Sequence, residues 1–175
     1  LAALAQANKN GKLDLSAMKL RDMPDDNNRL KDVTAMHLKG HQLRGIPEAI
    51  SYFSSLKTLS AENNELIAVS PKISDLASLS TLNLDNNLLS SLPDSLRKLT
   101  LLMRLSLMDN QFPGVPNAVG VLTRLRQLNM SGNSITNIPN WIGELVKMEE
   151  MSFAKNQIIN FPRAIGMLSN LKDLR

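Results

Sequence analysis

One spacing governs this chain: the residue pattern of Leu79–Leu101 returns every 23 residues without insertion or deletion. Self-similarity at a fixed period of this length is the mark of a stacked-repeat architecture, and it takes precedence over any local assignment. Copies begin at Asn10, Val33, Leu56, Leu79, Leu102, Leu125 and Met148, and an eighth opens at Leu171. With each copy numbered from zero, offsets 0, 3, 5, 10, 13, 17 and 20 are apolar throughout, apart from Asn10 and Asn27 in the first copy.

Two further columns are independent of hydrophobicity. Proline stands at offset 14 as Pro24, Pro47, Pro93, Pro116, Pro139 and Pro162, and slips one place to Pro71 in the third copy. Offset 8 is asparagine in the last five copies: Asn64, Asn87, Asn110, Asn133 and Asn156. An amide side chain carries both donors and an acceptor. A buried file of asparagines can therefore satisfy the backbone groups of sharp turns above and below it. Met18 and His41 occupy this column in the first two copies, which predicts a looser N-terminal turn.

The alternation at offsets 3 and 5 predicts a short strand with one face buried. The 3-4-3 spacing of offsets 10 to 20 suits a short helical or 3₁₀ return segment, with the proline in its first turn. A unit of this size cannot enclose its own apolar face, so the units must stack into one continuous core.

The pattern LxxLxLxxNxLxxLPxxIxxL, over residues 10–175, resembles the leucine-rich repeat family. Its length and LPxxI half resemble the intracellular, Ras-suppressor-like group. The resemblance implies an α/β fold: a right-handed horseshoe with a parallel sheet on its concave face and short helical or 3₁₀ segments on its convex face. It also implies protein recognition without catalysis, in a scaffold or signalling protein. The domain reading is an N-terminal helical cap over 1–9, seven repeats from residue 10, and a truncated eighth from residue 171. The chain is expected to be a fragment of a longer protein.

If offsets 3 and 5 point inward, offsets 2, 4 and 6 face solvent on the sheet. Lys12, His37 and Lys39 make the first third of that face basic, while Glu62, Asp85 and neighbouring Asp109 make its middle acidic, with Arg104 beside them. Met108 reads as an exposed apolar side chain, and Met and Arg are enriched at interface cores. The expected partner-binding region is Asp85, Arg104, Met108 and Gln127, surrounded by Thr81, Asn83, Ser106 and Asn129. Trp141 is expected to lie flat over its own repeat; with Val121 and Met167 in adjoining copies it is also the rival candidate for an interface on the outer side.

Composition narrows the classes. There is no cysteine, which fits a reducing, cytoplasmic setting. No apolar run approaches the roughly 20 residues of a membrane span. The net charge of +4 is spread among acidic residues, and aromatics make up only 3%, too few for the stacking platforms of nucleic-acid binders. No phosphate-binding loop or nucleophile elbow is present. His37 and His41 stand four apart, but on a strand and its end they diverge, so neither metal nor cofactor is expected. Gly120, Gly143 and Gly166 share offset 18 and read as turn residues. The Asn129-Met130-Ser131 acceptor sequence reads as coincidence. The expected partner is a protein: a small GTPase, a kinase, or a domain of the chain's own parent. An autoinhibitory segment of a Roco-type GTPase, kinase or ubiquitin ligase is one alternative. A secreted pattern-recognition or virulence protein is another.

Overall fold

The computed structural model describes residues 12–14, 32–46 and 48–175. The expected cap over 1–9, and Met18 in the asparagine column, lie outside them. Eight strands form one parallel sheet in sequential order: β1 (Lys12–Asp14), β2 (Ala35–His37), β3 (Thr58–Ser60), β4 (Thr81–Asn83), β5 (Arg104–Ser106), β6 (Gln127–Asn129), β7 (Glu150–Ser152) and β8 (Asp173–Leu174). Every pairing joins residues 23 apart, as in Thr81 with Arg104 and Leu82 with Leu105. A slip of one residue would turn each buried central leucine outward, and the side-chain period of two forbids it energetically.

The first seven strands are only three residues long because the chain bends as soon as the ladder has placed offset 5 in the core. The bend sits at offset 7. Gly40, Asn63, Asn86, Asp109, Gly132 and Lys155 all have φ between +51° and +75°, the left-handed region favoured by Gly, Asn and Asp. In this conformation the N–H still reaches the next repeat, as from Asn86 to the Met108 carbonyl (2.8 Å) and from Asp109 to that of Ser131 (2.8 Å).

On the opposite side the return segments are short 3₁₀ helices: Glu48–Tyr52, Pro71–Asp75, Asp94–Lys98, Asn117–Val121, Asn140–Glu144 and Arg163–Met167. The offset 14 proline lies just before them in extended geometry, as at Pro93 (φ −67°) and Pro116 (φ −60°), and not within the first turn. Its carbonyl accepts the first i→i+3 bond, from Leu96 N–H to Pro93 (2.9 Å) and from Val119 N–H to Pro116 (2.9 Å). Where proline moves into the segment, at Pro71, Ser70 takes the cap and its Oγ accepts from the Lys72 N–H.

Between sheet and return segments runs one apolar core, continuous from Val33 to Leu168. The asparagine column closes it along the turns. Asn87 Nδ2 donates to the carbonyls of Ala61, Leu84 and Asp85, and its Oδ1 accepts from the Leu66 N–H. Asn64, Asn110, Asn133 and Asn156 repeat the arrangement, each tying its own turn to the preceding repeat. In this position His41 contributes its backbone N–H to Asn64 Oδ1, while its Nε2 is buried without a partner among the described residues.

Two outer-side expectations need correction. Gly120, Gly143 and Gly166 lie inside the 3₁₀ segments and not in turns. At Gly120 and Gly143 the absence of a Cβ admits the offset 16 residue of the next repeat, Trp141 or Ala164. Trp141 is accordingly half-buried and packed against the core, with its ring on Gly120 of the preceding repeat and not over its own. Of its companions, Val121 and Met167 remain exposed.

Candidate functional site

The solvent-facing side of the sheet, opposite the 3₁₀ segments, forms a groove of about 570 Å³ across β4–β8. Seven of the eight residues expected to bind a partner line it: Thr81, Asn83, Arg104, Ser106, Met108, Gln127 and Asn129. The groove also continues past the expected region to Glu150, Ser152, Ala154 and Lys155, to Asp173 of β8 and to Arg175 just after it. The basic residues Lys12, His37 and Lys39 are not part of it.

Asp85 is the residue that does not line the groove. Its Oδ1 accepts from the Ser106 hydroxyl (2.6 Å) and the Met108 N–H (2.8 Å), so the carboxylate ties its repeat to the next. Burial raises this carboxyl above its ordinary value; the two hydrogen bonds pull it down, and Glu62 and Asp109 push it up again. The folded protein thus holds this proton to a higher pH than the unfolded chain. Stability from this group is present at low pH and is lost as pH rises from the usual carboxylate value through the raised one. Asp85→Asn, which keeps an oxygen acceptor, is expected to stabilise the domain at pH 7 by less than about 1 kcal/mol. The gain should shrink as pH is lowered toward 3. Urea midpoints at pH 7 and pH 4 measure this, and a loss at pH 7 would show that the charge itself is needed.

Two other expectations on this face change. Met108 is half-buried and not exposed, and its N–H donates to Asp85 Oδ1. Ser60, at offset 4, is only 7% exposed. It is a small side chain in register between His37 and Asn83, with its hydroxyl turned onto Glu62.

Four groove residues are held by hydrogen bonds. Arg104 Nε donates to Gln127 Oε1 (2.7 Å) across one repeat. Asn83 Oδ1 accepts from the Asp85 N–H (2.9 Å), and Asn129 Oδ1 from the Ser131 N–H (3.0 Å). At the rim, Glu149 takes hydrogen bonds from Lys172 and Arg126, which lower its carboxyl below the ordinary value. That ladder stabilises above the usual carboxylate range and fades as pH falls through the lowered value. Among the described residues no cluster of His, Asp or Glu has metal-site geometry, and no helix is long and apolar enough to cross a membrane.

A parallel sheet of sequential three-residue strands, an asparagine ladder and 3₁₀ returns at a 23-residue step define a leucine-rich repeat solenoid. The family profile of a leucine-rich repeat region matches residues 70–175, and the chain belongs to that family. A search of curated proteins gives no match. Among solved structures, a leucine-rich repeat protein of Leptospira interrogans is 26% identical with a TM-score of 0.69, over 99% of this chain and 56% of that one. The ectodomain of the Arabidopsis thaliana membrane receptor kinase GASSHO1/SCHENGEN3, solved in complex with CASPARIAN STRIP INTEGRITY FACTOR 2, is 32% identical with a TM-score of 0.74, over 88% of this chain and 19% of that one. An internalin (inlF) of Listeria monocytogenes shares the fold at 20% identity and a TM-score of 0.68, over 83% of this chain and 48% of that one. The chain thus spans about half or less of the length of each of these structures.

Proposed function

We propose that this domain recognises a protein partner through the groove on its sheet, as the scaffold or sensing segment of a larger intracellular signalling protein. The observation that carries the reading is the row of prearranged polar side chains on β4–β6. Arg104, Gln127, Asn83 and Asn129 are each fixed by one hydrogen bond while keeping further donors directed outward. Side chains already ordered lose less freedom on binding, which favours recognition over a merely solvated surface. The family membership supports binding in preference to catalysis. The absence of cysteine supports a reducing compartment.

A second reading places the same groove outside the cell, in a receptor or secreted protein. Its support is the 32% identity to a receptor-kinase ectodomain solved with its bound factor. One experiment addresses the groove in either setting. Affinity capture from native lysate or secreted fraction is run with the parent chain and with an Arg104→Glu, Gln127→Lys variant shown by circular dichroism to be folded. A partner retained by the parent and lost by the variant is expected, with at least about a tenfold drop in capture. Equal capture by both would move recognition away from the groove.

A further inference from the structure

The offset 4 row of the sheet alternates. In register across β3–β7 stand Ser60, Asn83, Ser106, Asn129 and Ser152. The serines are used internally: Ser106 donates to Asp85, Ser152 pairs with Ser131 (2.7 Å), and Ser60 turns onto Glu62. Each asparagine spends its oxygen on the backbone N–H two residues on. Its Nδ2 has no partner among the described residues. The face therefore shows two capped amides with a spare donor, Asn83 on β4 and Asn129 on β6, and since strands lie about 4.8 Å apart the two stand at about 9.6 Å. Beside them, Gln127 offers its amide and Arg104 its terminal nitrogens, while the carboxylate of Asp85 is already engaged.

A surface of donors at that interval selects a ligand with free acceptors at the same interval. An extended β-strand presents equivalent carbonyls every two residues, at about 6.8 Å, which does not match. An α-helix uses its carbonyls internally. A polyproline II chain has three residues per turn and a rise of about 3.1 Å, so equivalent carbonyls recur at about 9.3 Å and none is bonded within the chain. The two intervals agree to within a few tenths of an ångström over one turn.

We infer that the partner segment seated in this groove is a peptide in polyproline II conformation, running across the strands with main-chain carbonyls on Asn83 and Asn129. This rests on the groove being the recognition surface. The substitutions Asn83→Asp and Asn129→Asp test it, because each keeps an oxygen that caps the following turn and puts a charged acceptor where the spare donor stood. The probe is acetylated, amidated decaproline, with an uncharged Gly-Ser peptide of equal length as comparison, followed by NMR on ¹⁵N-labelled protein. Decaproline is expected to shift the Asn83 and Asn129 side-chain amide signals, and to bind at least about tenfold more tightly than the Gly-Ser peptide, whose chain is a flexible coil. The double Asp variant should lose that binding at least about tenfold while its backbone spectrum is retained. Unshifted asparagine signals, equal binding of the two peptides, or undiminished binding by the variant would each overturn the inference. If the lysate partner were nevertheless lost on Arg104→Glu, Gln127→Lys, the groove would stand and only the conformation of its ligand would fall.

Discussion

Asn110→Ala is expected to destabilise the domain by about 3–5 kcal/mol, a large effect for one polar residue. Asn110 Nδ2 donates to the carbonyls of Leu84 (3.0 Å), Leu107 (3.2 Å) and Met108 (3.1 Å), and its Oδ1 accepts from the Leu89 N–H (3.0 Å). The asparagine is 8% exposed, and the bonds to Leu84, Leu89 and Leu107 are buried, so water cannot replace what alanine removes. Each buried backbone group left unpaired costs on the order of 1–3 kcal/mol. The equivalent Asn156→Ala should cost less, because the groups that Asn156 serves are part-exposed or exposed and can be hydrated. Urea unfolding gives the comparison, and amide exchange of Leu89 and Phe112 shows whether the array opens locally at the lost rung. A cost below about 1 kcal/mol at Asn110 would mean that the ladder is ornamental to stability.

Gly143→Ala is the second large expected effect, a loss of about 2–3 kcal/mol. A Cβ there would lie 2.5 Å from the Ala164 carbonyl oxygen and 3.0 Å from the Ala164 Cβ. The obstruction is backbone, so two repeats would have to separate. At Gly120 the added methyl meets only the Trp141 ring, at 2.9 Å. That side chain can shift, so the cost there should be smaller and should appear in the fluorescence of the single tryptophan. Gly166 has nothing within 4 Å of a built Cβ, and alanine there should be neutral or slightly stabilising, since glycine leaves the unfolded chain more freedom. The three substitutions share one repeat position, so thermal unfolding of the set isolates packing from local conformation. Equal effects at all three would show that the glycines serve the backbone and not the approach of neighbouring repeats.

Much of the architecture could be read from spacing alone. Leu82, Leu105 and Leu128 recur at 23 residues between polar neighbours, and stacking is the only arrangement that buries all of them at once. The asparagine ladder was equally visible, because a polar column inside an apolar pattern requires a partner for every buried group. Other signals are carried by the same letters. Gly40, Asn63, Asn86, Asp109 and Gly132 form a column of residues tolerant of positive φ, and they mark the bend. The alternation of Ser and Asn at offset 4 was likewise present in the letters. Its meaning depends on which atom of each amide the fold consumes.

What the sequence by itself determined is the period, the strand and return order, the core columns and the face on which polar side chains stand. These follow from periodicity, which fixes the side of each residue relative to its own chain. Tertiary structure decided the rest. It engaged Asp85 with Ser106 and Met108, laid Trp141 on Gly120, left Met108 half-buried and buried Ser60. It also extended the groove along β7 and β8, past the residues first singled out. Each of these outcomes depends on the repeat one step away, across a separation of about 5 Å. Hydrogen-bond reach and the room left by a missing Cβ are properties of that neighbouring pair, and no single repeat carries them.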